Sequence, residues 1–258
     1  MNKISISVVT YNNSDKISSL LSSIIAHTKK YDYKIYVIDN NSSDDTVKIV
    51  KDNFPSVTVI ENSENKGFGW GHNRVLNELD SEFHAVINPD VILSQDSLSY
   101  LADYIESNPG IVMATPKIIN PDGSEQYLPK KDVSLKYLIG SRFEQRGEVF
   151  KKLREDYTMK NLTITDCVDI GFCTGCFFMI KTDVYKKLGG FDERFFMYFE
   201  DADLTQRASK IGRVVYTPQF EVTHLWERAS SKKIKLFLIE LQSMAIYFMK
   251  YPHWKEKG

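Results

Sequence analysis

The sequence contains little cysteine and no long apolar run. Its 258 residues include three cysteines, Cys167, Cys173 and Cys176, too few for a full set of internal disulfides, which favours a reducing compartment. Cys173 and Cys176 have CxxC spacing, but no second pair completes a zinc site, and they lie far from the first strand and helix, where a redox motif is expected. No stretch approaches the roughly 20 apolar residues of a transmembrane helix, and no signal peptide precedes the first strand pattern. We therefore expect a cytoplasmic protein that is free to bind a membrane surface.

An excess of charge of one sign is also absent. The formal net charge is -1, so no global electrostatic field favours nucleic acid as a partner. With 42% hydrophobic and 26% charged residues, the composition is that of a globular protein with ample material for a core. The length suits one large domain or a domain with an appendage.

Apolar runs alternate with helical periodicities in the first part of the chain. Branched apolar runs predict strands at 4–10, 33–38 and 57–60, and apolar residues at helical spacing predict helices near 17–25 and 47–50. Strands that are apolar on both faces and alternate with helices are typical of parallel sheets. The sequence therefore predicts an α/β protein with a doubly wound parallel sheet.

The later part of the chain is less regular. It predicts strands at 85–87, 111–115 and 169–180, a last pair of short strands at 213–216 and 220–224, and helices near 98–105, 183–188 and 204–211. From about 128 to 165, basic and aromatic residues mix with weak periodicity. We interpret this segment as a variable surface for an acceptor or partner.

The Asn88-Pro89-Asp90 tripeptide follows the apolar run at 85–87. Proline has no N–H to donate, so the strand ladder stops there and Asp90 stands at the strand's exit. In open α/β sheets, ligands bind outside the carboxyl ends of the strands, where a carboxylate can hold a hard divalent cation that neutralises a diphosphate. A surface turn is the alternative, because Asn, Pro and Asp all favour turns.

Three glycines, Gly67, Gly69 and Gly71, follow the third predicted strand and precede a helix expected over about 71–79. Glycines at such a place let the backbone approach a phosphate or ribose closely, although a flexible turn has the same composition. The spacing is not the GxGxxG dinucleotide motif, and no Gly-Lys-Ser/Thr of a P-loop follows.

Acidic residues crowd at Glu200, Asp201 and Asp203, ahead of a predicted helix. One acid near a helix N-terminus is stabilising, but three in four positions repel one another and raise carboxylate pKa values. Such crowding favours a site that needs a general base. His224 stands at the exit of the last predicted strand. At that place it can be a ligand, or it can have a purely structural role.

The tail at 231–258 differs from the rest of the chain. It carries six Lys and two Glu, and its apolar residues keep helical spacing from Ile234 to Phe248, with Tyr247, Tyr251 and Trp254 as aromatics. A basic amphipathic helix of this kind suits an anionic membrane surface. Packing on the domain, or on a second subunit of a homodimer, is the alternative.

Taken together, an ordered set of motifs over residues 4–230 resembles glycosyltransferase family 2 with the GT-A fold, and more narrowly the rhamnosyltransferase-like branch that builds bacterial cell-surface polysaccharides. The motifs are VVTYN at 8–12, VIDNNS at 37–42, NKGFG at 65–69 with Asn73, NPD at 88–90, Gly175 with Phe177, GGFD at 189–192, FMYFEDADL at 196–204 and His224. The resemblance implies a GT-A domain over 1–230, with a nucleotide-binding half to about 115 and an acceptor half from 116, followed by the tail helix. It also implies a Rossmann-like, mostly parallel sheet flanked by helices, with a small antiparallel extension.

The resemblance further implies roles for single residues. The acid that begins the family's DXD motif is replaced here by Asn88, which leaves Asp90 and His224 to hold Mg²⁺ or Mn²⁺. Asp201 would be the catalytic base, with Glu200 as the alternative. The acceptor side would include Gly175 and Asp203. The nucleotide sugar would be bound by Thr10, Tyr11, Asn12, Asp39, Asn41, Gly67, Asn73, Asn88 and Asp90.

The implied reaction is an inverting, metal-dependent sugar transfer at the inner face of the plasma membrane. The first donor we expect is dTDP-L-rhamnose, with UDP-sugars next, and the acceptor is a hydroxyl of a lipid-diphosphate-linked saccharide. A non-catalytic polysaccharide-assembly protein of the same fold is the alternative, which the presence of Asp90, Asp201 and His224 argues against. A nucleotidyltransferase would need a basic, Gly-rich loop after the first strand, and an NAD-dependent enzyme would need glycines in its first turn. Residues 10–14 provide neither.

Overall fold

The computed structural model describes residues 2–225 and 234–252. Within these ranges the strands form one sheet in the order β3-β2-β1-β4-β8-β6-β9-β5, and β7 also pairs with β9. The strands are β1 (Asn2–Thr10), β2 (Tyr33–Asp39), β3 (Thr58–Glu61), β4 (Ser81–Ile87), β5 (Val91–Ile92), β6 (Ile111–Ile119), β7 (Val168–Asp169), β8 (Phe177–Lys181) and β9 (Arg213–His224). The helices are α1 (Ile17–His27), α2 (Thr46–Asn53), α3 (Phe68–Asn73), α4 (Ser97–Ser107), α5 (Leu135–Arg142), α6 (Glu148–Tyr157), α7 (Thr182–Lys187), α8 (Glu200–Ala208) and α9 (Ile234–Lys250).

Strands β3, β2, β1 and β4 are parallel to one another. Ile6 and Val8 of β1 are fully buried and belong to the same core cluster as Leu20 of α1. The alternation of apolar runs and helices therefore predicted this half of the sheet correctly. Its register pairs Thr10 with Asp39, which brings these two polar side chains together at the carboxyl ends of β1 and β2.

The antiparallel pairings position a second group of polar residues. Strand β8 lies antiparallel between β4 and β6, and β9 runs parallel to β6. The short β5 pairs antiparallel with the end of β9, with Val91 opposite His224. Since Asp90 immediately precedes Val91, this register places Asp90 beside His224.

Helix α3 begins and ends earlier than the helix predicted at 71–79, and only turns follow it. Gly67, with φ +106°, precedes its first residue. A Cβ on Gly69 would lie 2.7 Å from Cβ of Phe191, and one on Gly71 would lie 2.8 Å from Cγ2 of Val9. These two glycines therefore allow close packing of α3, and the interpretation of this loop as a ligand contact stays a prediction.

Two strand predictions were also wrong. The run at 169–180 is interrupted, because β7 ends at Asp169 and β8 begins only at Phe177. The expected pair of strands at 213–216 and 220–224 is one strand, β9. Its register shifts from Thr217 opposite Pro116 to Glu221 opposite Lys117. The unpaired residues between them form a bulge that contains Pro218, which has no N–H to donate to the ladder.

The segment at 128–165, for which the sequence showed only weak periodicity, contains α5 and α6. Tyr137 of α5 stacks on Tyr157 of α6 with ring centroids 5.0 Å apart. The Tyr137 hydroxyl donates to Asp156 at 2.6 Å. The two helices are thus ordered by contacts with each other, which a periodicity along one segment does not reveal.

Helix α9 packs on the rest of the domain through Ser243 and Tyr247, which are buried. Tyr247 lies in a cluster with Val133, Phe195 and Ala202. Among its large apolar residues, Ile234, Leu238, Leu241 and Met249 are exposed.

The alternative that the tail packs on the domain therefore holds for part of α9. The prediction also relied on Lys232, Lys233 and Trp254, which lie outside the described residues. None of the helices in the described ranges is long and apolar enough to cross a membrane.

Candidate active site

A cavity of about 540 Å³ opens beside the residues that follow β4 and β9. Its walls come from the loop at 172–176, from α5 and α6, and from the start of α8. The sequence-predicted site residues that line it are Asn88, Asp90, Gly175, Glu200, Asp201 and His224. The fold thus brings together the acid after β4, the acidic pair of α8 and the histidine at the end of β9.

Asp90 and His224 face each other, with Oδ1 of Asp90 3.3 Å from Nε2 of His224. Burial raises the pKa of Asp90, but the neighbouring His224 ring outweighs this effect and holds the pKa below its ordinary value. Within the described residues, no group donates a well-aligned hydrogen bond to the buried Oδ1. Asp90 therefore presents an ionised oxygen that the protein itself leaves incompletely satisfied.

Gln126, which sequence reasoning missed, fixes the orientation of the His224 ring. Its Oε1 lies 2.9 Å from Nδ1 of His224. Its Nε2 donates to the backbone carbonyl of His224 at 2.7 Å and to Oδ1 of Asn120 at 2.9 Å. Because the amide nitrogen is used in those two bonds, Oε1 is the acceptor and Nδ1 of the neutral ring carries the proton. Nε2 faces Asp90: when the ring carries a second proton, that N–H lowers the pKa of Asp90, and when the ring is neutral, Nε2 offers a lone pair to a bound cation.

The Asp90–His224 pair has the donor chemistry of a divalent cation site. Mg²⁺ commonly takes one or two carboxylates together with substrate phosphates, and imidazole adds a ligand that Mn²⁺ accepts. In the described part of the chain, no group of three His, Cys, Asp or Glu residues could hold a metal ion. A cation bound by these two side chains would have coordination positions left for a substrate diphosphate.

Asp201 is held at the cavity wall by two backbone donors. The N–H of Gly175 donates to Oδ2 at 3.0 Å, and the N–H of Ala202 donates to Oδ1 at 2.9 Å. Just before α8, Tyr198 and Phe199 have φ values of 70° and 67°, a left-handed conformation that is costly for bulky side chains. This strained turn starts α8 at the cavity, so that the first helical residues line it.

Burial raises the pKa of both Glu200 and Asp201. The charge of Asp201 raises the pKa of Glu200 further, whereas the Gly175 N–H and the charge of Lys130 act to lower that of Asp201. Oε2 of Glu200 is buried without a hydrogen-bond partner in the described structure. The ionised form of Asp201 is thus stabilised by neighbouring groups, whereas both burial and the charge of Asp201 oppose ionisation of Glu200, which favours Asp201 as a general base.

The residues expected to hold the nucleoside form a separate polar cluster at the ends of β1 and β2, outside the cavity. Asp39 is 2% exposed and accepts hydrogen bonds from Thr10 Oγ1 at 2.9 Å and from the Ser42 N–H at 2.7 Å. Asn12 and Asn41 both have positive φ, which their short polar side chains tolerate. The side chain of Asp39 is thus fixed in place by the protein.

Next to that cluster, Tyr11 is 52% exposed. Among the nucleoside-side residues, it therefore offers an aromatic surface that a ligand can reach. The sequence prediction for this group remains a prediction.

Gly67 and Asn73 make protein contacts. A Cβ on Gly67 would lie 2.0 Å from the carbonyl oxygen of Phe196, and the Phe68 N–H donates to that same oxygen at 3.0 Å. The Asn73 amide donates to the Phe191 carbonyl and accepts from the Phe191 N–H, both at 2.8 Å. Both residues therefore join α3 to the 191–196 segment that leads into α8.

Asp203 does not line the cavity, and its predicted place on the acceptor side stays a prediction. Its side chain is fully buried and pairs with Nε of Arg207 at 2.8 Å and with Nζ of Lys250 at 2.6 Å. Its Oδ1 also accepts from the Tyr251 hydroxyl at 2.7 Å. Residues two apart lie on different faces of a helix, so Asp201 faces the cavity while Asp203 anchors α9.

Comparisons with known proteins identify the family. Residues 5–189 match the family model described as Glycosyl transferase family 2. The chain is 28% identical over 230 residues to N-acetylglucosaminyl-diphospho-decaprenol L-rhamnosyltransferase of Mycobacterium tuberculosis, a match that covers 84% of this chain and 74% of that protein. It is 24% identical over 233 residues to Rhamnosyltransferase WbbL of Escherichia coli (strain K12), covering 84% and 81%.

Solved structures share the fold. GalNAc-T7 with UDP, GalNAc and Mn²⁺ superposes with a TM-score of 0.67 at 15% identity, covering 89% of this chain and 44% of that chain. The mannosyltransferase PcManGT from Pyrobaculum calidifontis, in complex with GDP-Man and Mn²⁺, gives 0.63 at 17% identity, covering 100% and 66%. The chain thus spans less than half of GalNAc-T7. At these identities the likeness concerns the fold alone, and it confirms the architecture predicted from the sequence.

Proposed function

The chain belongs to glycosyl transferase family 2, and on this premise we propose that it moves a sugar from a nucleotide diphosphate donor to an acceptor hydroxyl in one inverting step. The observation that carries the proposal is the joint presence of the Asp90–His224 pair and Asp201 in one cavity. The pair can hold a diphosphate through a cation, and the carboxylate can remove a proton from an acceptor. No side chain is required as a covalent nucleophile.

The donor would bind across the carboxyl ends of β1, β2 and β4. We place the nucleoside on the cluster of Thr10, Asn12, Asp39 and Asn41, beside the exposed ring of Tyr11. Gly67 and Asn73 would shape the ribose and diphosphate region through the loop that they hold, and Asn88 lies at the cavity wall. The sugar would then enter the cavity next to Asp201.

Asp90 and His224 would hold Mg²⁺ or Mn²⁺, which when bound stabilises the negative charge of the leaving nucleoside diphosphate. Asp90 contributes its ionised Oδ1 and His224 its Nε2 lone pair. Gln126 keeps that lone pair directed at the site. This support from a neighbouring hydrogen bond is typical of ligating histidines.

Asp201 would act as the general base. Its carboxylate is held by the Gly175 and Ala202 N–H groups, and it would accept the proton of the acceptor hydroxyl as that oxygen attacks the anomeric carbon. The bond to the departing diphosphate breaks on the opposite face of the sugar, so the configuration inverts. The raised pKa of the neighbouring Glu200 disfavours a second negative charge beside Asp201.

We infer dTDP-L-rhamnose as the donor and a lipid-diphosphate-linked saccharide as the acceptor. Support comes from the matched relative in Mycobacterium tuberculosis, whose name describes an L-rhamnosyltransferase acting on N-acetylglucosaminyl-diphospho-decaprenol. A UDP-sugar is the second candidate, since the GalNAc-T7 structure contains UDP. The exposed apolar residues of α9, such as Ile234 and Leu238, would bring the enzyme to the membrane that carries such an acceptor.

A thermal-shift panel tests the proposal. The protein is heated with dTDP, UDP or GDP, each with and without Mg²⁺ or Mn²⁺. Ligand at about 100 times its Kd should stabilise the native state by roughly 2.7 kcal/mol. We expect a cation-dependent shift with dTDP, abolished in Asp90→Ala and retained in the control Asp52→Ala, which removes an exposed acid of α2.

The outcomes separate the parts of the proposal. A shift with UDP alone changes the donor and keeps the mechanism. Equal shifts in the wild type and Asp90→Ala would contradict the cation site. No cation-dependent shift with any nucleotide would contradict the transferase activity and favour a non-catalytic protein of this fold.

A further inference from the structure

Lys130 projects into the catalytic cavity from the segment that precedes α5. Its backbone is fixed to the cavity loop, because its carbonyl accepts from the N–H groups of Gly171 and Phe172 at 2.9 and 3.0 Å. Its Nζ lies 4.2 Å from the centroid of the Phe172 ring and 5.7 Å from that of Tyr157. Two aromatic faces therefore hold the ammonium group in place at the wall.

The Lys130 ammonium forms no direct ion pair with the described residues, and its side-chain contacts are with those two rings. Burial, together with the nearby charge of Arg154, lowers the pKa of Lys130 to about 8, while the charge of Asp201 acts in the opposite direction. At neutral pH the side chain is still mainly protonated. A desolvated cation without a hydrogen-bonded counterion is costly, so the site gains from a bound anion.

A second cation reinforces this part of the cavity. Arg154 of α6 also lines it. The guanidinium is oriented by Ser141 Oγ, to which Nη1 donates at 3.1 Å, and by Glu144, whose Oε2 lies 3.6 Å from Nε. The positive charges of Lys130 and Arg154 repel each other. An anion bound between them would stabilise both charges.

Lys130 comes from a different part of the fold than the Asp90–His224 pair, although all three line the same cavity. The Lys130 carbonyl is bonded to Gly171 and Phe172, and the N–H of Gly175 in the same loop donates to Asp201. The cavity therefore holds a basic group beside the loop that also positions Asp201, in addition to the candidate cation site.

We propose that Lys130, together with Arg154, binds the phosphate groups that link the acceptor saccharide to its lipid. The proposal rests on the proposed function, in which Asp201 deprotonates a hydroxyl of that saccharide. In an acceptor with a single sugar, the reacting hydroxyl and the diphosphate are attached to the same ring, so a phosphate site in the same cavity as the base suits this acceptor. The apolar residues Leu128, Val133 and Leu138 also line the cavity and would contact the first lipid carbons.

Equilibrium binding of two probes tests the assignment. Farnesyl diphosphate mimics the lipid end of the acceptor, and dTDP with Mn²⁺ mimics the donor end. In Lys130→Met we expect the affinity for farnesyl diphosphate to fall about tenfold or more, as for loss of a charge-assisted hydrogen bond. Affinity for dTDP with Mn²⁺ should stay within about twofold. Lys130→Arg, which keeps the charge, should retain most of the farnesyl diphosphate affinity.

The matched control is Lys160→Met. Lys160 is exposed, and its Nζ lies 5.1 Å from the ring of Tyr127, outside the cavity. It should leave both affinities unchanged. Circular dichroism and melting curves show that each variant is folded before its affinity is compared.

Other results would overturn the assignment in distinguishable ways. Loss of dTDP affinity with unchanged farnesyl diphosphate affinity would assign Lys130 to the donor. Unchanged affinity for both would make it a structural cation held by aromatic rings. In either case cation-dependent dTDP binding by the wild type would leave the proposed function intact, whereas failure of the wild type to bind dTDP would count against that function itself.

Discussion

Nδ1 of His224 lies 2.9 Å from Oε1 of Gln126, and this contact determines which ring nitrogen faces Asp90. The Gln126 amide cannot reverse without losing the bonds that its Nε2 donates to the His224 carbonyl and to Asn120. The proton on the neutral ring is therefore kept on Nδ1. Gln126 acts on the candidate cation site through His224, as a positioning residue.

Replacement of Gln126 by Leu should weaken Mn²⁺ binding in the presence of dTDP by about 10–100-fold, the usual cost of losing a supporting partner of a ligand. Titration calorimetry measures the affinity, and ¹⁵N NMR of the histidine ring reports the tautomer. The exposed Gln219 offers a control, Gln219→Leu, which should have no effect. An unchanged tautomer and unchanged Mn²⁺ affinity in Gln126→Leu would remove Gln126 from the site.

Substitution of Asp201 by Asn should lower kcat for sugar transfer by about 10²–10⁴, the range for loss of a general base. Donor affinity should change little, because the carboxylate is expected to act on the acceptor. Initial rates and dTDP binding are measured on the same preparation. Glu200→Gln serves as the comparison and should keep most of the rate. A larger loss of kcat in Glu200→Gln than in Asp201→Asn would assign the base to Glu200. A loss of dTDP affinity in Asp201→Asn as large as its loss of kcat would contradict a role as base.

Stability should depend on pH through Glu200. Because burial and the charge of Asp201 raise its pKa in the folded protein, the folded state holds a proton that the unfolded state releases. This contribution to stability is fully present below the ordinary pKa of 4.5 and is lost as the pH rises through the raised value. Glu200→Gln removes the ionisable group, so its Tm should decline less than that of the wild type as pH increases above about 4.5.

Melting curves between pH 4 and pH 8 make this comparison. The control is Glu78→Gln, since Glu78 is exposed, and its Tm should follow the wild type. Parallel Tm profiles for the wild type and Glu200→Gln would show that Glu200 ionises in the folded protein as it does in the unfolded chain.

Part of this site follows from local sequence, and part does not. Asp90 and His224 could be predicted because each stands where a strand ends, and strand ends converge at the ligand edge of an α/β sheet. Asp201 and Asp203 look equivalent in the sequence. They differ because residues two apart lie on different faces of α8, and because Arg207 and, from α9, Lys250 pair with Asp203. Lys130 likewise depends on how the loop at 170–176 folds, for which the local pattern carries no signal.

Gly67 should be intolerant of a side chain because of its surroundings as well as its φ angle. Gly67 and Gly123 both have positive φ, +106° and +82°, but a Cβ on Gly67 would lie 2.0 Å from the Phe196 carbonyl oxygen while one on Gly123 would meet nothing within 4 Å. Gly123→Ala should cost about 1 kcal/mol of unfolding free energy, the ordinary cost of this conformation. Gly67→Ala should cost several times more and should also lower the transfer rate, since Phe196 leads into α8. Urea denaturation measures both, and equal costs would show that the backbone around Phe196 can move aside.

The two faces of α9 should separate stability from membrane binding. Tyr247 is 3% exposed, whereas Ile234 and Leu238 are 81% and 59% exposed. Tyr247→Ala should therefore lower the free energy of unfolding by about 3–5 kcal/mol, as for other buried aromatic residues. The double variant Ile234→Ser/Leu238→Ser should keep its Tm and lose binding to vesicles that contain anionic lipid, because it removes apolar area from the surface that would enter the bilayer interface. Vesicle co-sedimentation and melting curves measure the two effects, with vesicles of neutral lipid as the control. Vesicle binding that survives in the double variant would show that the exposed face of α9 is not what contacts the membrane, and a lowered Tm in that variant would show instead that these residues stabilise the fold.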